Sequence, residues 1–182
     1  MEPHNRAVVV GALGVIGRYV VERLQQDESW SIVGLSRRAA ASGPRYRHIA
    51  VDLLDLRDVE AKLAGLTDVT HIFYAAFQAA PGAASGYASN IAPNRDMLVN
   101  AVTAIARASC AIERVVLVTG TKYYGTHLGP FKTPARESDP RHMRPTIIST
   151  RSTGSPDFRR ARRGTGSSCG RRRCADSRRE RP

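Results

Sequence analysis

Long apolar runs and cysteines are both scarce in this chain of 182 residues. Its longest apolar runs have the length of a strand, and a helix that spans a bilayer needs about 20 apolar residues, so no membrane segment is predicted. The first residues also lack the apolar region of a secretion signal. Three cysteines, an odd number, suit a reducing compartment, and we expect a cytoplasmic protein. Cys169 and Cys174 have no second cysteine pair beside them, so no metal site is predicted.

Positive charge is in excess, but it is concentrated at one end of the chain. Residues 151–182 hold 11 arginines and three acidic residues, which account for +8 of the net charge of +12. The first 150 residues therefore carry only +4, which does not indicate a nucleic-acid partner for the main body of the chain. We divide the chain into a nucleotide-binding domain, residues 1–145, and a disordered arginine-rich tail, residues 146–182.

The first motif with chemical meaning is a glycine triplet, Gly11-x-x-Gly14-x-x-Gly17, which follows a β-branched run and opens a helical pattern. At such a turn, backbone N–H groups and the helix dipole can bind a pyrophosphate. Gly11 would make the turn, Gly14 would admit the pyrophosphate, and Gly17 would let the helix pack on the strand. The alternative is an ordinary strand-to-helix turn. The residues between the glycines are assigned to the same cofactor site: Leu13, Val15 and Ile16.

Apolar periodicity predicts alternating strands and helices. Five segments are predicted as strands: 6–11, 30–36, 48–53, 69–76 and 113–120. Helices are predicted after the glycines and over residues 56–63 and 93–109, and the first of them should bury Ile16, Val20, Val21 and Leu24. This order predicts an α/β fold with a doubly wound parallel sheet, the Rossmann fold, which is incomplete because a sixth strand is not encoded.

The segment after the second strand bears on the choice of cofactor. An NAD site usually has an acidic residue here for the ribose 2′-hydroxyl, whereas this chain has Ser36-Arg37-Arg38. Two guanidinium groups and a hydroxyl suit a 2′-phosphate, which favours NADP(H) over NAD(H). The alternative is a solvated basic turn. At the ends of the third and fourth strands, Asp52 is predicted to reach the adenine, and Leu53 and Ala75 are assigned to the same site.

Residues 119–125 follow the fifth strand, at the edge where parallel sheets bind their ligands. Thr119 and Lys122 are predicted to contact the cofactor, and Lys122 is also the candidate catalytic residue, since it would hold the nicotinamide ribose or lower the pKa of a nearby phenol. Tyr123 and Tyr124 would face a substrate. Position alone equally allows a solvated lysine and two tyrosines that pack.

These motifs together resemble one family, the extended short-chain dehydrogenase/reductases of the progesterone 5β-reductase and iridoid synthase type. The resemblance covers about residues 5–145 and rests on the glycine triplet, Arg37-Arg38 and five further runs: 66–74, 119–124, 129–131, 134–137 and 139–141. Four residues are also similar to the central helix of the family: Asn94, Met97, Leu98 and Asn100. It implies NADPH-dependent reduction of the C=C bond of an activated enone or enal, a small-molecule substrate. Hydride would go to the β-carbon while a tyrosine, assisted by Lys122, holds the enolate oxygen.

The chain departs from this family where the tyrosine should lie, because no tyrosine follows Tyr124. We therefore expect little or no turnover. The tail allows three interpretations: a nucleic-acid arm, a solvated extension, or a shifted reading frame, which we favour because shifted GC-rich coding sequence often yields arginine-rich segments. The substrate lobe would then be missing. Two other functions stay open: an NAD-dependent epimerase or dehydratase acting on a nucleotide sugar, and a non-catalytic nucleotide-binding protein whose tail contacts nucleic acid.

Overall fold

A computed structural model of the chain describes residues 4–79, 87–126 and 128–140, apart from the side chains of residues 87, 88 and 122. The predicted tail, 146–182, lies outside these residues. The described residues contain five strands: β1 (Asn5–Val10), β2 (Trp30–Ser36), β3 (Tyr46–Ala50), β4 (His71–Tyr74) and β5 (Arg114–Leu117). Three α-helices connect them: α1 (Val15–Gln25), α2 (Leu56–Leu63) and α3 (Ile91–Ala108). None of these helices is both long and apolar enough to cross a bilayer.

The strands form one parallel sheet in the order β3-β2-β1-β4-β5. The chain runs outward from β1 to β3, returns to the other side of β1 at β4, and then continues to β5. This reversal opens a crevice at the carboxyl ends of β1 and β4, where doubly wound sheets bind their ligands. The predicted doubly wound parallel sheet is confirmed. The predicted alternation of strands and helices is wrong at one point, because residues 37–45 join β2 to β3 without a helix.

The sequence of β1 explains its place at the centre of the sheet. Residues 7–10 are all fully buried, and parallel strands covered on both faces have such uninterrupted apolar runs. On one face, α2 and α3 pack over Val8, Val10 and the alternate residues of neighbouring strands. On the other face, a smaller cluster forms around Val9, Val21 and Ile32 beneath α1. Asp55 begins α2, since its carboxylate accepts hydrogen bonds from the N–H groups of residues 57 and 58.

The predicted buried stripe of α1 is wrong at its first residue. Ile16 is 50% exposed, whereas Gly17 and Val21 are buried and Val20 and Leu24 are partly buried. The helix contacts the sheet along the line of Gly17 and Val21, because a glycine allows the closest approach. Ile16 is therefore rotated towards solvent, although its four-residue spacing matches the stripe.

The predicted third strand is shifted along the chain, since β3 begins at Tyr46 and ends at Ala50. Residues 52–55 form a turn in which the Asp52 carboxylate accepts from the N–H of Leu54, 3.0 Å away. The start of β3 is fixed by Arg45, which has a φ of 58°. Its guanidinium donates to the carbonyl oxygens of Gln25 and Asp27, at 3.0 and 2.9 Å, and so binds the end of α1.

Two matched truncations test this packing. Ile105 is fully buried, so Ile105→Ala should lower the free energy of unfolding by about 2–5 kcal/mol through lost burial and a cavity. Ile16→Ala removes the same atoms from an exposed position and should cost less than about 1 kcal/mol. Urea unfolding followed by circular dichroism measures both. Equal losses would contradict the exposed position of Ile16.

Candidate cofactor site

The glycine triplet forms a turn that is bound to the neighbouring strand. Gly11 has a φ of +87°, which favours glycine. The N–H groups of Gly11 and Ala12 both donate to the carbonyl oxygen of Leu35 in β2, at 2.9 and 3.1 Å. A Cβ on Gly11 would lie 2.8 Å from the Cα of Ala76, so the segment after β4 packs directly against the turn. The turn is therefore held from both sides.

The N-terminus of α1 is open to an anion. Gly14 is its N-cap and brings no side chain, and its first turn has no acidic residue. The first N–H groups of a helix have no partner within the helix. A Cβ on Gly17 would overlap the carbonyl oxygen of Gly11, and one on Gly14 would come within 3.2 Å of it. A backbone cradle of this kind, free of side chains, fits the pyrophosphate of a dinucleotide.

The other predicted residues of the loop lie around this cradle. Leu13 is partly buried, whereas Val15 and Ile16 are exposed at the start of α1, Val15 at 71%. Their assignment to the cofactor remains a prediction.

Arg37 and Arg38 follow β2 at the same edge, beside the glycine turn that β2 holds. Both are exposed, and within the described part of the chain neither side chain forms an ion pair. Ser36 is partly buried, and its hydroxyl donates to the carbonyl oxygen of Arg38 at 2.7 Å. The two guanidinium groups are thus available to an anion, while the hydroxyl proton is already used within the turn.

The two residues predicted after β3 differ in their surroundings. Asp52 is exposed, and its N–H donates to the carboxylate of Asp58 at 2.9 Å. The hydrogen bond from Lys62, together with this N–H, holds the pKa of Asp58 below its usual value. Leu53 is buried, and its carbonyl oxygen accepts from the side chain of Asn100 at 2.9 Å. A contact of Leu53 with a cofactor could come only through its backbone.

The segment after β4 is held by a residue to which the sequence alone assigned no role. Asn94 is fully buried in α3; its side chain accepts from the N–H of Gln78 at 2.9 Å and donates to the Gln78 carbonyl oxygen at 2.7 Å. Ala75 donates its N–H to Val10 in β1 at 2.9 Å. This segment is therefore fixed beside the crevice. The signal in the sequence that could have identified Asn94 is its position as a polar residue on the otherwise apolar face of α3.

The segment after β5 carries the predicted catalytic lysine. Thr119 is exposed, and residues 121–124 form a short 3₁₀ helix that includes Lys122, whose side chain lies outside the described residues. The rings of Tyr123 and Tyr124 are partly buried and contact each other edge to face, with 5.1 Å between their centroids. In the residues that the structure describes, no group of three metal-ligating side chains occurs.

The chain matches the model of one protein family over most of its length. The NAD dependent epimerase/dehydratase family model matches residues 7–148, which include most of β1 and all the later strands and helices. The chain belongs to this family. Its members include oxidoreductases of the extended short-chain dehydrogenase/reductase type, and the predicted relationship to the progesterone 5β-reductase group is confirmed by the relatives below.

Two curated relatives carry the names expected from the resemblance. An (S)-8-oxocitronellyl enol synthase of Nepeta cataria is 35% identical over 133 residues, which is 69% of this chain and 32% of the relative. A 3-oxo-Delta(4,5)-steroid 5-beta-reductase of Arabidopsis thaliana is 33% identical over 147 residues, 76% of this chain and 35% of the relative. This family member therefore spans about a third of the length of the curated relatives it matches.

Solved structures share the fold. The Bordetella bronchiseptica enzyme WbmH in complex with NAD+ superposes with a TM-score of 0.63 at 18% identity, over 86% of this chain and 52% of that one. At this identity the likeness shows the fold alone.

The close approach of α1 to the glycine turn gives a second prediction. Gly17→Ala should lower the free energy of unfolding by about 1–3 kcal/mol, because its methyl group would overlap the Gly11 carbonyl oxygen and the backbone must move. Gly65→Ala is the matched control, since nothing lies within 4 Å of its Cβ position, and should change stability by less than about 0.5 kcal/mol. Thermal unfolding compares the two. A Gly17→Ala variant as stable as the control would contradict the described contact.

Proposed function

We propose that this family member binds NADP(H) in preference to NAD(H), with the 2′-phosphate held by Arg37 and Arg38. The observation that carries the proposal is the pair of exposed guanidinium groups without ion-pair partners among the described residues, at the end of β2. In dinucleotide sites of this fold, the ribose next to the adenine reaches this strand end. A guanidinium binds phosphate through two parallel hydrogen bonds and keeps its charge at all relevant pH values.

The remaining contacts follow from the backbone. The N-terminus of α1 binds the pyrophosphate, since its first N–H groups and the helix dipole favour negative charge. The N–H groups of Gly11 and Gly14 already donate to the carbonyl oxygens of Leu35 and Gly11, so these glycines shape the turn. Asn94 binds Gln78 to α3, and the N–H of Ala75 donates to Val10 in β1, so the segment with Ala75 and Ala76 forms a wall of the crevice beside Gly11. When bound, the reduced cofactor supplies a hydride. The chain's own part is to fix the pyrophosphate and the adenosine end of the dinucleotide.

The reaction that we propose for the complete type of enzyme is reduction of the C=C bond of an activated enone or enal. It is supported by the names of the two relatives, an enol synthase and a steroid 5-beta-reductase. Lys122 lies in the short 3₁₀ helix, Thr121–Tyr124, that follows β5 at the carboxyl edge of the sheet. There it would help to hold the enolate oxygen, whose developing charge needs a hydrogen-bond donor.

The first test compares the two cofactors. The wild-type chain should bind NADPH more tightly than NADH in isothermal titration. Removing both guanidinium groups by Arg37→Ala and Arg38→Ala should weaken NADPH binding about 10- to 100-fold, since charged hydrogen bonds to the phosphate are lost, and leave NADH unchanged.

Arg107→Ala is the control for the loss of an exposed arginine, because it removes one guanidinium group at the C-terminal end of α3, where Arg107 pairs with Glu60. It should leave both affinities unchanged. Tighter binding of NADH than of NADPH by the wild type would instead favour an NAD-dependent epimerase or dehydratase.

The second test concerns turnover. With NADPH and a simple enone, we expect at most trace consumption of NADPH, because no tyrosine follows Tyr124 to hold the enolate oxygen. Spectrophotometric assay with a complete reductase as the reference measures this. A rate near that of the reference would show that another group of this chain replaces the tyrosine.

A further inference from the structure

Both ring nitrogens of His48 in β3 form hydrogen bonds next to the arginine pair. Nε2 lies 3.0 Å from the carbonyl oxygen of Arg38 and 3.0 Å from the hydroxyl of Ser36. Nδ1 lies 2.9 Å from the hydroxyl of Tyr46. The ring therefore links β3 to the turn that carries both guanidinium groups.

The partners determine where the ring proton lies. A carbonyl oxygen can only accept, and the single proton of Ser36 is already donated to the Arg38 carbonyl. The contact between Nε2 and that carbonyl therefore requires Nε2–H. In the neutral ring Nδ1 then accepts from Tyr46, and burial raises the pKa of this phenol, which keeps it a donor. The tautomer with its proton on Nε2 therefore satisfies all four groups: the imidazole ring, the Arg38 carbonyl, and the hydroxyls of Ser36 and Tyr46.

The backbone of residues 37–45 is fastened to β3 at further points. The N–H of His48 donates to the hydroxyl of Ser42 at 2.9 Å, and Gly43 and Tyr46 exchange two backbone hydrogen bonds at 2.8 and 3.1 Å. A Cβ on Gly34 would overlap the Tyr46 hydroxyl, so glycine in β2 leaves room for the phenol. Among these contacts, the one made by the His48 ring lies closest along the chain to the guanidinium groups.

We propose that His48 is a positioning residue that sets the selectivity of this chain for the 2′-phosphate. Its Nε2–H holds the Arg38 carbonyl, and so fixes the backbone from which Arg37 and Arg38 extend, while Tyr46 holds the ring in the required tautomer. The inference rests on the proposed preference for NADP(H). A preorganised pair binds better because less side-chain and loop freedom is lost on binding.

The variants separate positioning from simple packing. The amide of a glutamine places an N–H where Nε2 lies, and that of an asparagine places its nitrogen near Nδ1. His48→Gln should therefore preserve the interaction with Arg38, whereas His48→Asn and His48→Leu remove it. The probes are two cofactor fragments that differ by the phosphate, 2′,5′-ADP and 5′-AMP, titrated calorimetrically into the full chain.

In the wild type, 2′,5′-ADP should bind more tightly than 5′-AMP. His48→Leu and His48→Asn should reduce this ratio about fivefold, the size of one lost hydrogen bond, with 5′-AMP binding unchanged. His48→Gln should restore it. A packing role alone would lower the unfolding temperature of the Leu variant without changing the ratio.

The outcomes are distinct. If the wild type binds both fragments equally, the preference for NADP(H) fails, and the inference fails with it. If the wild type discriminates and His48→Leu discriminates equally well, the inference alone is overturned. Nitrogen-15 spectra of the imidazole give a readout without any cofactor: a proton on Nε2 is expected, and a neutral ring protonated on Nδ1 would overturn the inference.

Discussion

The carbonyl oxygen of Gly11 occupies the space that a side chain on Gly17 would need, and this contact sets the distance between α1 and the end of β1. Because the helix comes so close, its first N–H groups lie at the carboxyl edge of the sheet rather than above its face. The same turn is bound to β2 through Leu35 and packed against Ala76 after β4. The turn therefore contacts both neighbouring segments of the site, the end of β2 and the segment after β4.

One arrangement recurs at the edge of the sheet: three of the functional segments are each fixed by a hydrogen bond from an element other than their own. β2 holds the glycine turn, β3 holds the turn with the arginine pair through His48, and α3 holds the segment after β4 through Asn94. The groups that would face a ligand are different ones: the first N–H groups of α1, which have no partner within the helix, and two guanidinium groups without ion-pair partners among the described residues. The atoms that hold these segments in place are therefore different from the atoms that would bind a ligand. The site can then be ordered and still have free groups for the ligand.

Sequence reasoning reached the doubly wound parallel sheet and the glycine turn because both have strong local signals. The apolar run at residues 7–10 is typical of a buried strand, and the spacing of the three glycines specifies a turn and a close contact. It failed at Ile16, since helical periodicity shows which residues share a face but not how far the helix is rotated about a glycine contact. It placed β3 late because Tyr46 and Arg47 join the strand by pairing with β2 and not through an apolar pattern. Asn94 and His48 serve backbone groups that are distant in sequence, and no local pattern reports such partners.

The position of β1 has a consequence for the order of events during synthesis. β1 leaves the ribosome before both of its partners, yet it must end in the middle of the sheet, with β2 on one side and β4 on the other. Its apolar run can pair with β2 once residue 35 has emerged, but its second edge stays open until β4, at residues 71–74, is made. During that interval the nascent chain exposes an unpaired, strongly apolar strand edge, the kind of surface that chaperones recognise and that associates with other chains. The feature that centres the finished sheet is therefore also its most vulnerable one while the chain is being made.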